Sequence, residues 1–388
     1  MEATHDQALF PLVHEPVSRW ERAGISPAHE RRFNRIATLL VVLFVAGWTY
    51  SIVRVARGEP VLQSPVAAIS GAITANPLSE DAPPTTAYLT DELVSSYSDQ
   101  FDQLRGHSGD VKLVVTNPGD SVPVANGTKL PQGTQVQLQP TAGTDGQAQP
   151  AGGQAPSEPG IWNLVLRLGD AVRPVSGLVI ATEVPMEEKQ RGRIGNYLIG
   201  SWPYERGGAP RAGYAAPRGF IEVTPQNINT PISEHFKLGD FVTKGQNDVW
   251  PKYVVISPRV LDKVELTIKE LQAEGHPVKH VFVVCGFRTP TYNESGGDPS
   301  GRAGLSRHMY GDAMDIAIDN DGDGLMDDLN GDGRVNIQDA RVLGHAAEKV
   351  EEQFPDLVGG VGVYAPTGAH HGFVHIDTRG FRARWGPW

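Results

Sequence analysis

Ser306 to Asp319 read SRHMYGDAMDIAID, where a histidine is followed seven residues later by an aspartate, with a glycine between them and an apolar stretch beyond. Further on, Phe373 to Asp377 read FVHID. Imidazole and carboxylate are side chains that hold a borderline cation such as zinc. In a strand beginning near Ala313, two-residue alternation sends Ala313, Asp315 and Ala317 to one face and Met314, Ile316 and Ile318 to the other. In FVHID, Phe373, His375 and Asp377 share a face opposite Val374 and Ile376. If the two strands are neighbours, Asp315 and His375 point into one cleft, and Gly311 lets the backbone fold back to bring His308 over Asp315. Two imidazoles and one carboxylate leave a fourth coordination position for water, the usual layout of a catalytic zinc. Taken singly, a histidine or aspartate at a strand end is more often a hydrogen-bonded structural group than a metal ligand.

Between these ligands lies DNDGDGLMDDLNGDGRVNIQDA, Asp319 to Ala340. Asp319, Asp321, Asp323 and Gly324 reproduce the first, third, fifth and sixth places of a calcium-binding loop, and Asp327 continues it. Asp328, Asn330, Asp332, Gly333, Asn336 and Asp339 repeat the layout and end on an acidic residue at the last place. So many carboxylates repel one another unless a cation intervenes, and hard oxygen donors at this spacing select Ca2+. A solvated acidic loop is the alternative.

The elements that must position these groups are legible in part. PRVLDKVELTIKELQAEGHP places Val260, Leu261, Val264, Leu266, Ile268 and Leu271 at largely helical intervals and stops at Gly275. VKHVFVVCGFRTP reads as a buried strand running into a loop, with Cys285 a small buried hydrophobe. A helix packed on an antiparallel sheet, in the α+β class, is the economical arrangement for residues 186–388. Upstream, runs such as IWNLVLRLGD and VSGLVIATEVP, separated by Gly and Pro, suggest a small all-β, sandwich-like domain over 108–185. Residues 54–107 read as a Pro-, Ser- and Ala-rich linker. Ile36 to Val53 carry no charge and are flanked upstream by Arg19, Arg22, Arg31, Arg32 and Arg35, so they are expected to form a transmembrane anchor. Residues 1–35 would then be cytoplasmic, with the C-terminal domains exported beyond the inner or cytoplasmic membrane. The net charge of −11 over 388 residues argues against a nucleic-acid partner. With one cysteine in the chain, no intrachain disulfide is possible.

SRHMYGDAMD resembles the Ser-x-His-x-x-Gly-x-Ala-x-Asp signature of the D-Ala-D-Ala carboxypeptidase and murein endopeptidase family of zinc metallopeptidases, related to the zinc domain of hedgehog proteins. VCGFRTPTYN is similar to that family's strand and arginine loop, and GGVGVYAPTGAHHGFVHIDTRGFRARW resembles the tail of its murein endopeptidase branch. The acidic loops resemble dockerin or thrombospondin type 3 repeats. The resemblance implies zinc held by His308, Asp315 and His375, and Arg288 facing a substrate carboxylate or an oxyanion. It implies that Ser306 orients His308 by a hydrogen bond. Asp377 either steadies His375 or pairs with Arg379. Many members carry a glutamate as general base three residues before the last histidine, where this chain has Gly372. His371, on the strand face of His375, is the candidate to replace it, with His370 behind. The expected function is zinc-dependent hydrolysis of peptidoglycan stem or cross-link peptides, with peptidoglycan as partner. The alternative is a wall-binding or scaffold protein that keeps the zinc fold without turnover.

Overall fold

The computed structural model describes residue 38 and residues 111–122, 135–151, 153–169, 171–205, 207, 210, 213–295, 302–367 and 371–388. Every strand and helix discussed below lies within the compact unit Pro77–Trp388.

The first strands are β1 (Lys112–Thr116), β2 (Ser121–Val122), β3 (Gln135–Pro140), β4 (Gln149–Pro150), β5 (Gly153–Gln154), β6 (Gly160–Leu168) and β7 (Ala171–Thr182). One five-stranded sheet runs in the order β1-β7-β6-β3-β4, and β2 pairs with β5 as a separate ribbon. Strands β6 and β7 form a long antiparallel pair, while β1 joins β7 in parallel. Leu113, Ile161, Val179 and Ala181 from this sheet belong to the same buried cluster as the C-terminal helices.

Short strands follow: β8 (Val184–Pro185), β9 (Arg193–Ile194), β10 (Tyr197–Leu198), β11 (Gly219–Val223) and β12 (Lys252–Val254). They make a three-stranded sheet, β12-β11-β8, and a β9-β10 hairpin. Helix α1 (Pro258–Ala273) comes next, followed by β13 (Val281–Cys285), α2 (Pro290–Ser295), β14 (Ala313–Ile318), α3 (Ile337–Gln353), β15 (Gly360–Tyr364), β16 (Phe373–Asp377) and β17 (Ala383–Trp385). The last five strands form a sheet in the order β13-β14-β16-β15-β17, antiparallel except for the β15-β17 pair.

Alternation divides this sheet into two chemically different faces. Met314, Ile316, Ile318, Val361, Val363, Val374 and Ile376 are fully buried and pack with Val260, Val264 and Ile268 of α1 and Leu343 and Ala347 of α3. The other face carries Asp315 and His375. Between the two helices Lys263 is fully buried, its Nζ 2.6 Å from Glu351 Oε1 and 2.7 Å from the Asp377 carbonyl oxygen.

The expected fold class, an α+β domain preceded by a transmembrane helix and a small all-β domain, needs correction. The chain is mixed α/β, with several small sheets and few helices. The upstream strands share the C-terminal core because one sheet cannot bury its apolar face without a partner layer. Among the described residues no helix is long and apolar enough to cross a membrane. The longest, α1 and α3, have 16 and 17 residues and interleave charges with apolar positions, whereas a span needs about 20 predominantly apolar residues. The expected anchor over 36–53 lies, apart from residue 38, outside the described residues. The single-pass membrane placement, the membrane as partner and the localisation built on them are therefore withdrawn.

Candidate metal centre

The centre is assembled from the polar face of the C-terminal sheet and the turn that precedes β14. Asp315 and His375 are direct partners across the β14-β16 pair. Arg307–Tyr310 form one 3-10 turn, closed by Gly311 in the left-handed region at φ +69°. A Cβ at Gly311 would stand 2.3 Å from the Val255 carbonyl oxygen, so both the dihedral and the close approach require glycine. The turn is clamped by the indole of Trp202, which donates to the Met309 carbonyl oxygen at 2.8 Å, and by the buried Arg307–Asp312 ion pair.

His308 Nε2 lies 3.1 Å from Asp315 Oδ2 and 3.1 Å from His375 Nδ1, and His375 Nδ1 lies 2.8 Å from Asp315 Oδ1. All three residues are buried. His308 Nδ1 is 2.6 Å from the Gly286 carbonyl oxygen, which can only accept, so that nitrogen carries the proton. His375 Nε2 is 3.0 Å from Asp377 Oδ2, which fixes the opposite tautomer. Two nitrogen lone pairs and a carboxylate oxygen therefore converge when both imidazoles are neutral. Such a convergence is repulsive without a cation. Donor atoms on one tetrahedral zinc with bonds of about 2.0 Å stand roughly 3.3 Å apart, close to the separations found here. The residues thus fit the cation that the sequence implies.

Without a cation, the carboxylate draws a proton onto His308 in its place. Burial opposes ionisation of Asp315, yet His308 and His375 hold its carboxyl well below the usual range. Burial likewise disfavours a charged His308, but Asp315 and Cys285 outweigh it and lift the imidazole to about 10. Asp377 is fully buried and accepts from His375, from the Gly360 amide at 2.7 Å and from Arg379. It both steadies His375 and pairs with Arg379.

Arg288 lines the same cleft, its Nη2 3.8 Å from Asp315 Oδ2 and its Nη1 3.2 Å from Asn293 Oδ1. Its buried Nε has no hydrogen-bond partner among the described residues. The guanidinium therefore retains donor capacity beside the cation position. Ser306 is the buried residue that opens the 3-10 turn, while the Gly286 carbonyl does the orienting of His308 expected of the serine. His371 has its Nδ1 2.9 Å from the Gly372 carbonyl oxygen and its ring against Phe282, which lines the same cleft. His370 lies outside the described residues.

Three groups at the centre escaped the sequence reading. Cys285 is half-buried and faces the cleft instead of the core. Burial would raise its thiol, but His308 and Arg288 prevail and bring it down to about 7. Tyr364 and Trp385 line the cleft as well, the indole donating to Tyr364 Oη at 2.8 Å. Two-residue alternation through GVGVY would have placed Tyr364 on the face of His375, since Gly362 pairs with His375 and Tyr364 with Phe373. The cleft has a volume of about 1490 Å³, room for an extended peptide segment.

The acidic insertion follows β14 directly and folds as two copies of one turn. Asp319 accepts from the amides of Gly322, Asp323 and Gly324, and Asp328 accepts in the same way from Gly331, Asp332 and Gly333. Asp321 and Asn330 each accept from the amide two residues on, as do Asp323 and Asp332. Carboxylate oxygens of Asp319, Asp321 and Asp327 lie within 4.8 Å of one another, a grouping that suits a cation. Asp339 closes the second copy, accepting from the amides of Leu329 and Asn330, and caps α3 together with Asn336.

No family model matches the chain, and no curated protein or solved structure matches it.

Proposed function

We propose that the protein is a zinc-dependent peptidase acting on peptidoglycan stem or cross-link peptides. The observation that supports this most is the convergence of His308 Nε2, Asp315 and His375 Nδ1 at separations of 2.8 to 3.1 Å, with the outer nitrogen of each imidazole committed to an acceptor. Zinc held there supplies a Lewis acid for a peptide carbonyl and a nucleophilic water near neutral pH. Arg288 offers its guanidinium to the negative charge that develops on the carbonyl oxygen, or to a substrate carboxylate. Tyr364 and Phe373, stacked at 4.4 Å between ring centroids, form one wall of the cleft. The choice of murein peptides rests on the resemblance of SRHMYGDAMD and VCGFRTPTYN to that peptidase family. Ca2+ on Asp319, Asp321, Asp323 and Asp327, and on Asp328, Asn330, Asp332, Asn336 and Asp339, has a structural role beside the cleft.

A second reading, binding without turnover, is favoured by Gly372. No carboxylate stands there, and a Cβ would already press on Met326 Sδ at 3.3 Å. Incubation with cross-linked muropeptides separates the two. Cleavage that disappears on chelation and returns with zinc supports the peptidase. Protein that retains zinc and trims no muropeptide supports the binding module.

A further inference from the structure

Strand β13 does not pair evenly with β14. Phe282 faces Ala317 and Val283 faces Ile316, but the register then shifts so that Cys285, not Val284, stands opposite Asp315. A bulge of this kind re-aims one side chain. Here it turns the chain's one cysteine out of the core and onto the polar face, where the thiol lines the cleft with His308, Asp315 and His375. Ligand-capable atoms of Cys285, His308 and Asp315 all lie within 4.8 Å of one another. The sulfur also receives Arg288 Nη2 at 3.5 Å, a cationic donor that favours the thiolate.

We propose that Cys285 is a fourth side-chain ligand to the cation held by His308, Asp315 and His375, so that the resting centre is closed by two nitrogens, one oxygen and one sulfur. The inference rests on the metal reading above and adds to it the identity of the fourth donor. Sulfur and nitrogen on one zinc, with bonds of about 2.3 and 2.0 Å, stand roughly 3.5 Å apart. Towards His308 the thiol therefore needs to approach by no more than about 1.3 Å, which side-chain rotation about χ1 can supply. Four protein ligands characterise closed zinc sites, and three with an exchangeable position characterise catalytic ones. Cys285 would thus hold the centre latent, with the position for water released when the thiolate departs. The same site would prefer thiophilic cations over magnesium or calcium.

Cobalt substitution tests this directly. The full chain is stripped of metal, loaded with Co2+ and examined by absorption spectroscopy beside the Cys285→Ser variant. The expected result is tetrahedral d–d bands in both proteins and a thiolate-to-cobalt charge-transfer band in the near ultraviolet that is lost in the variant. The d–d bands of the variant report that its centre is still folded. Tetrahedral d–d bands without a charge-transfer band in the parent chain would overturn the sulfur ligand while leaving the three-residue centre intact. Absence of metal uptake by the parent chain would overturn both.

Discussion

His375 is held between two carboxylates, its Nδ1 2.8 Å from Asp315 Oδ1 and its Nε2 3.0 Å from Asp377 Oδ2. The second contact makes the first available to a metal, because the proton that Asp377 holds on Nε2 leaves Nδ1 with its lone pair turned inward.

Asp377→Asn is therefore expected to weaken zinc retention about 10- to 100-fold without removing a ligand. Competition with a chromogenic chelator measures it. His375→Ala, which deletes a ligand, should lose stoichiometric zinc altogether.

The Lys263–Glu351 pair joins α1 to α3 and, through the Asp377 carbonyl, to the strand that carries His375. Burial pulls the Lys263 ammonium below its ordinary value, with Glu351 opposing. Replacing one partner leaves an uncompensated buried charge, so Glu351→Gln is expected to cost about 3–5 kcal/mol in urea unfolding. Glu351 also accepts from Arg384 and from the Gly359 amide, so replacing both, as in Lys263→Met with Glu351→Leu, should recover only part of that loss.

Glu183, buried beside Gly219, gives the stability a pH dependence of unusual sign. Burial pushes its carboxyl up to about 7, Arg218 offsetting only part of the effect. The folded state then holds a proton that the unfolded chain releases near 4.5. The contribution is complete below that value and is lost as pH rises through about 7, an amount of about 3 kcal/mol. Denaturant titrations from pH 4 to 8 on the parent chain and on Glu183→Gln measure it as the difference in slope.

Removal of calcium should loosen the segment between β14 and α3. Asp339 serves both the second acidic loop and the start of α3, so the loss is expected to reach the helix N-terminus. Limited proteolysis with and without a calcium chelator should show new cleavage between Asp319 and Asp339, and Asp328→Ala should show it with calcium present.

Helix α1, strands β14 and β16 and the turn at Gly311 were all readable from residue order. Periodicity and glycine chemistry are local, and the two-residue alternation of a strand puts Asp315 and His375 on the polar face whatever else the chain does. The duplicated acidic turn was readable for the same reason, since the bonds that Asp319 and Asp328 accept span five residues or fewer. Neither the register between distant strands nor the packing of separate layers is local. The slip in β13 that brings Cys285 opposite Asp315 and the Gly286 carbonyl that displaces Ser306 as partner of His308 both follow from how strands and turns meet. So does the merging of the upstream sheet with the C-terminal core. A one-residue shift between strands costs little in local propensity yet exchanges the face that a side chain occupies, and long-range packing selects among such registers.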